Sequence, residues 1–309
     1  MNLLRRLAGF GAPGWARSCF LGLAFAASAV AAQSSPASAG KIFLWEVKSA
    51  TNSAYVFGSI HAARADFYPL PRVVEDAYRQ ADELAVEVDI TNQAEVSKTM
   101  PLLIYAPPDS LERHVSPEVW KSLQSALAST VQERQELLGH LKAGALASAL
   151  VLAALASHGY DPQAGIDRHF LASAHADGKK VIELESAQFQ AGILGGLSDE
   201  EGDAMLKETL KEAHSGELAR ITDQVVAAWR AGDTKEVARL LRESNHDAAS
   251  KRIFARLFDE RNPGMADRIA ALATGSSHAF VVIGAGHLAG EKSVLQLLMD
   301  KGLQVRQLP

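Results

Sequence analysis

Two histidines each follow a glycine by three positions at the end of a β-prone run. YVFGSIH carries Gly58 and His61, and AFVVIGAGH carries Gly284, Gly286 and His287. Two carboxylates end similar runs: Glu87 in LAVEVDI (residues 84–90) and Glu185 in KKVIELE (residues 179–185). Ligands gather at the carboxyl ends of strands in open α/β sheets, so four such side chains are placed to share a cleft. Two imidazoles and a carboxylate can hold a divalent metal and leave positions for water and substrate. Zinc, manganese, cobalt and iron all suit these donors. Such a metal would act as a Lewis acid and make water a nucleophile, with no activated serine or cysteine needed. Gly58, Gly284 and Gly286 would supply positive φ and close backbone approach, turning each histidine into the cleft.

A single Gly-x-x-His is a weak pattern, and a hydrogen-bonded turn histidine is the competing reading of either. Glu87 and Glu185 would equally serve as structural ion-pair partners of Arg64, Arg168 or Arg261. Arg261 follows a helical stretch, where an arginine caps the helix or pairs with acids. The alternative is that its guanidinium meets a substrate carboxylate or a developing oxyanion. His169 and His175 lie six apart on an expected helix, do not share a face, and read as surface or core residues. No His-Glu-x-x-His, Gly-x-Ser-x-Gly or phosphate-loop pattern occurs, which removes the main support for the common zinc-protease, α/β-hydrolase and nucleotide-binding readings.

The elements that must position these residues alternate between strand and helix. Residues 42–47 and 55–57 read as a β-hairpin across the turn residues 49–53. Pro69 and Pro71 open a helix whose Val73, Val74, Ala77, Tyr78 and Ala81 share a face. In residues 84–90, Glu87 and Asp89 take one face and Val86 and Val88 the other. Residues 92–160 and 198–260 read as mainly helical, and 143–156 is apolar all round, a buried or partner-facing helix. Asp167 falls near the start of another helix, and Arg261-Asn262-Pro263-Gly264 interrupts the last helical region. The end of the chain reads strand, helix (about 290–301), strand (304–308), a βαβ unit.

With 309 residues and 48% hydrophobic content the chain can bury a full core. Its first residues differ in kind: Arg5, Arg6 and Arg17 precede an apolar run (20–30) and the small-x-small site Ala29-Val30-Ala31. That layout predicts a signal peptide over 1–31, a Ser/Ala/Pro-rich linker over 32–40, and one α/β domain over 41–309. The apolar run falls short of the roughly twenty residues a membrane span needs. Cys19 is the only cysteine, so the mature chain has no disulfide, thiolate metal site or cysteine nucleophile. Losing the three arginines of the leader moves the formal charge from −5 to −8, a poor match to nucleic acid.

The motifs LWEV, YVFGSIH, YPLP, ADELAVEVD, GYDPQAGIDRHFLASA, VIELES with Gln190, LFDERN and FVVIGAGHLAGEKSVLQLL occur in that order from Leu44 onward. In this the chain resembles the TraB/GumN family, which is related to the Tiki metalloproteases and the PrgY pheromone-shutdown proteins. The resemblance implies an α/β fold, a mixed central sheet with helices packed on it and a large helical insertion, around a metal-dependent site. By motif match His61 and His287 would be the metal-linked histidines, Glu87 the acidic partner and Arg261 the family's arginine. Asp167, Glu185, Gln190 and Asn262 would line or support the site. The expectation is an exported, periplasmic or secreted metal-dependent hydrolase, peptidase-like by analogy with the Tiki branch and without a membrane span in the mature chain. The alternative is a non-catalytic protein that sequesters a metal, haem or peptide, or serves polysaccharide export and assembly.

Overall fold

A computed structural model describes residues 41–128, 132–243 and 245–309. The expected leader (1–31) and linker (32–40) lie outside them. The chain begins with β1 (Leu44–Lys48), β2 (Ser53–Ser59), α1 (Arg72–Gln80) and β3 (Glu83–Val86). A helical stretch follows: α2 (Gln93–Ser97), α3 (Met100–Leu103), α4 (Pro117–Ala126), α5 (Gln132–Leu138) and α6 (Ala143–Ala156). Then come α7 (Ile166–Asp177), β4 (Lys180–Glu183), α8 (Ala187–Gly195), α9 (Asp199–Ser215), α10 (Glu217–Arg230), α11 (Thr234–Arg242) and α12 (Ala248–Phe254). The last elements are α13 (Asn262–Thr274), β5 (Ala279–Gly284), α14 (Val294–Asp300) and β6 (Gln304–Gln307).

The strands form one mixed sheet in the order β4-β3-β5-β2-β1-β6. Neighbours from β4 to β2 are parallel, while β1 runs antiparallel to both β2 and β6. The expected hairpin is present: the Ser49 N–H donates to the Asn52 carbonyl at 2.9 Å, and the Ser49 hydroxyl accepts the N–H groups of Thr51 and Asn52. All six residues of β5 are buried, which its unbroken apolar run requires of a central strand covered on both faces. Phe280 of β5 and Phe57 of β2 meet Phe170 of α7 at 4.9 and 6.0 Å between ring centroids, and α13 packs against β1, β2 and β5. A second apolar cluster joins Leu111, Val119, Leu123, Leu138, Leu146 and Leu206, tying α4, α5, α6 and α9 together. The apolar α6 is buried between α8, α9 and α10, and no helix among the described residues is long and apolar enough to cross a membrane.

Several boundaries differ from expectation for local reasons. β3 stops at Val86 because the next residues turn: the Asp89 N–H donates to Glu183 Oε1 at 2.8 Å, and Asp89 Oδ1 accepts the Thr91 N–H at 2.9 Å. This Asx-type turn overrides the alternation of LAVEVDI. β4 ends at Glu183, so Glu87 and Glu185 both lie just past their strands. The first predicted helix begins at Arg72 with Pro71 outside it, and the last begins only at Val294, capped by the Ser293 hydroxyl. β5, α14 and β6 do form a parallel crossover, but β2 and β1 lie between its strands.

A candidate active site at four strand ends

The site is built where β4, β3, β5 and β2 terminate side by side. Ser59, the last residue of β2, stands opposite Gly284, the last of β5, so the two Gly-x-x-His turns leave the sheet at one level. Pairing also continues beyond β3 and β4: the Glu185 N–H donates to the Glu87 carbonyl at 2.8 Å. The register therefore delivers Glu185, Glu87, His287 and His61 from consecutive parallel strands to the same edge.

His61 is held from the start of α7. Asp167, itself buried, accepts the His61 Nδ1–H at 2.7 Å on Oδ2 and the Ser59 hydroxyl at 2.7 Å on Oδ1. This helix start can reach the turn because residue 165 is glycine: a Cβ there would lie 2.1 Å from the His61 carbonyl oxygen. His287 is held from the start of α13. Asn262 Nδ2 donates to the Lys292 carbonyl at 2.8 Å, which leaves Oδ1 to accept the His287 Nδ1–H at 2.6 Å. Each imidazole thus spends Nδ1 on a partner behind it and keeps the Nε2 lone pair on the site side, the arrangement that orients metal-ligating histidines.

Between them sits Glu87. Its Oε1 accepts the Gly284 N–H at 2.7 Å and lies 3.8 Å from His287 Nε2. Its Oε2 accepts from Arg261 Nη2 at 2.5 Å and Gln190 Nε2 at 3.0 Å. Gln190 also donates to Glu185 Oε2 at 2.9 Å, which receives Arg261 Nη2 at 2.6 Å. Arg261 Nε donates to Glu185 Oε1 at 3.0 Å and Nη1 to the Leu257 carbonyl at 2.9 Å. All three guanidinium nitrogens are therefore engaged within the protein, and of the arginines proposed for Glu87 and Glu185 it is Arg261 that pairs with them. Arg64 lies over the Tyr160 ring instead.

The electrostatics follow from this wiring. Burial opposes the charge on Glu87, but Arg261, the two imidazoles and the Gly284 N–H outweigh it and hold the carboxyl far below the ordinary range. Burial, reinforced by Arg261, drives His287 down to about 3 against the opposing pull of Glu87, so it is neutral at physiological pH. Burial would also depress His61, yet the charge and hydrogen bond of Asp167, with Glu87, shift it upward overall.

Of the two properties expected of the glycines, the structure shows close approach and not the left-handed backbone. Gly58, Gly284 and Gly286 are not among the positive-φ residues, so the left-handed backbone expected of them is corrected. What they provide is close approach. A Cβ on Gly284 would stand 3.0 Å from His61 Nε2 and 3.2 Å from Glu87 Oε1, filling the cradle between the facing atoms. On Gly58 it would meet the Phe43 ring at 2.4 Å, and on Gly286 the Phe258 ring at 2.5 Å. His169 and His175 stand apart from the site, the former near Glu75 and the latter near Thr91 and Asp89.

Sequence reasoning missed Ser59 and Phe258. Ser59 lies inside the first Gly-x-x-His turn and could have been suspected from that position. The Phe258 ring stands 5.1 Å from that of His287 and belongs to LFDERN, three residues before Arg261. It lies in a π-helical turn, Ala255–Asp259, which the charged helical pattern does not reveal.

His61, Glu87, Gln190, Arg261 and His287 line a cleft of about 830 Å³ between the sheet edge and the helical layer; Glu185 stands behind it. Two facing imidazole nitrogens, a carboxylate oxygen and a cradle that one methyl group would fill match in chemistry the donors a divalent metal takes. Among the described residues, no three histidine, cysteine or acidic side chains meet as a ready-made metal cluster. The second carboxylate oxygen of Glu87 is committed to Arg261 and Gln190.

Comparison with known proteins extends this picture. The model of the TraB/PrgY/gumN family matches residues 43–307. The uncharacterized protein YbaP of Escherichia coli (strain K12) is 28% identical over 249 residues, covering 79% of this chain and 87% of that protein. YbaP of Shigella flexneri is likewise 28% identical, over 250 residues, with the same coverage. Metalloprotease TIKI2 of Danio rerio is 22% identical over 323 residues, covering 86% of this chain and 61% of the relative. No solved structure matches the chain.

Proposed function

We propose, from the premise that this chain belongs to the TraB/PrgY/gumN family, that it is an exported metal-dependent hydrolase that cleaves peptide bonds. The observation that carries the reading is the convergence of two imidazoles, each fixed through Nδ1, on Glu87 Oε1 above Gly284. The 22% identity with Metalloprotease TIKI2 supports the peptidase part.

In this reading His61 Nε2 and His287 Nε2 hold a divalent metal with Glu87 as the acidic partner. When bound, the metal supplies Lewis acidity that polarises a carbonyl and makes water a competent nucleophile near neutral pH. The remaining work belongs to the chain. Asp167 and Asn262 keep both rings oriented. Arg261 and Gln190 keep Glu87 ionised and fixed, so Arg261 acts through the carboxylates. Glu87 Oε1, facing the cleft, accepts a hydrogen bond from the attacking water and aims it at the carbonyl carbon. The proton that the water loses is relayed across this oxygen to the departing amine as the C–N bond breaks, so Glu87 ends the step ionised as it began.

The test is cleavage of a peptide library by chelated protein before and after addition of Zn²⁺, Mn²⁺, Co²⁺ or Fe²⁺, with His61→Ala and His287→Ala alongside. Cleavage restored by metal in the wild type and absent from both variants is expected. Cleavage that survives both substitutions would sink the mechanism. A second reading, a peptide-binding protein without turnover, draws on the apolar walls of the cleft; it predicts saturable binding and no cleavage with any of the metals.

A further inference from the structure

We infer that the cleft selects peptides by an apolar segment of several residues beside the reacting bond, with positive charge on the part of the peptide that lies at the mouth. This rests on the peptide reading above and narrows it to a substrate class.

The first observation is the space itself. Packed interiors leave few voids larger than a water molecule. A cleft of about 830 Å³ lies within the ~300–1,000 Å³ range of sites that take ligands. Its walls converge from separate elements: Val151 of α6, Ile193 of α8, Leu241 of α11, Phe254 of α12, and Leu257 and Phe258 of the π-helical turn. The second observation is continuity with the reacting groups. Phe254 and Phe258 stand 4.8 Å apart, and Phe258 lies 5.1 Å from His287. A ladder of rings thus runs from the cleft wall to the imidazole, and Gly286 allows it by giving Phe258 room against the turn. An apolar side chain flanking the reacting bond would lie along these rings, where a polar one would lose its water without gaining a partner.

The third observation is the charge at the mouth. Glu200, Asp203 and Glu208 of α9 and Asp247 before α12 border it, against Lys207 and His246. Arg252 offsets Glu200 at 3.0 Å, Lys211 offsets Glu208 at 2.8 Å, and Lys207 is itself paired with Glu118 at 3.1 Å, so Asp203 and Asp247 leave an excess of negative charge. That excess attracts an amino terminus or lysine and repels the carboxylate or phosphate of a lipid, which favours a peptide over an acyl chain as the occupant.

The experiment measures binding, independently of cleavage. Fluorescein-labelled nonapeptides with a five-residue Leu/Val/Phe core and Lys-Lys ends are titrated into His61→Ala protein. The same is done with a Ser/Gln core and with Glu-Glu ends. The apolar core should bind about tenfold or more tightly than the polar one. Glu-Glu ends should weaken binding about threefold at low salt, a difference that shrinks in high salt. Phe254→Ser and Leu257→Ser should weaken the apolar peptide while leaving the circular dichroism spectrum unchanged. If either variant unfolds, the core and end exchanges on the parent protein still decide. Equal binding of both cores, preference for Glu-Glu ends, or tighter binding of a fluorescent fatty acid would overturn the assignment. Cleavage of polar-core peptides by the metal-loaded wild type would overturn this substrate class and leave the hydrolase standing; tight apolar binding with no cleavage would do the reverse.

Discussion

Replacing Arg261 with methionine keeps most of the side chain's volume and removes the guanidinium that pairs with both Glu87 and Glu185. Both carboxylates are nearly fully buried, with side-chain exposures of 10% and 7%, and Gln190 holds them within hydrogen-bond reach of one amide nitrogen. Breaking a buried ion pair from one side costs about 3–5 kcal/mol, because a desolvated charge is left without its partner. The pH dependence has a definite sign. In the wild type Glu87 is lowered from its ordinary 4.5, so its contribution to stability is present above that value and is lost as pH falls through the depressed folded value. In Arg261→Met, burial and the neighbouring carboxylate push Glu87 upward instead, and protonation relieves the cost. Urea unfolding of metal-free protein should therefore show the variant about 3–5 kcal/mol less stable at pH 7.5, with a gap that narrows towards pH 5. Adding Glu87→Gln and Glu185→Gln to Arg261→Met should recover part of the loss, since no buried charge then remains. A variant as stable as the wild type, or a gap that does not change with pH, would refute the account of Arg261 as the group that keeps Glu87 ionised and pairs with both carboxylates.

Asp167→Asn removes the charge that raises His61. A raised histidine stabilises the fold fully below its unfolded value near 6.5 and loses that contribution as pH climbs through the folded value, so the stability gap to wild type should be larger at pH 6 than at pH 9 in chelated protein. His287, held down to about 3, has the opposite sign: between pH 6.5 and about 3 its neutrality should cost the fold about 1.4 kcal/mol per pH unit, a loss absent from His287→Phe in acid unfolding curves. Gly284→Ala should fold yet lose metal binding, because its methyl would occupy the cradle 3.0 Å from His61 Nε2; calorimetry against the wild type reads the loss. Gly58→Ala meets the Phe43 ring at 2.4 Å and should lower stability by about 1–3 kcal/mol in urea, with the site's residues unchanged.

The sequence disclosed the four strand ends because each combines a β-prone run with one polar residue where the run stops. AFVVIG reads as a buried strand without help from its neighbours, and the structure buries all of it. Convergence of the four ends was legible only as a consequence of parallel α/β geometry; which strands are neighbours depends on long-range pairing that no local pattern encodes. The sequence overstated LAVEVDI, since Asp89 and Thr91 form a turn that competes with the ladder. It also assigned the glycines positive φ beside close approach, and only the close approach is seen, leaving room for Phe43, Phe258 and the facing site atoms. Asp167 and Asn262 carried over as supporting residues by motif match, but what each supports emerges only from the packing of two helix starts onto the histidine turns. Phe258 stayed hidden, because an aromatic residue in a charged helical stretch is ordinary until a π-helical turn aims it at His287.

The central claim, that His61 and His287 form one metal-dependent centre with Glu87, is tested most directly by titrating chelated protein with Zn²⁺ or Mn²⁺ in a calorimeter. One ion per chain should bind to the wild type, with the affinity largely lost in each of His61→Ala, His287→Ala and Glu87→Gln. Binding that persists in both histidine variants, or no binding to the wild type, would contradict it.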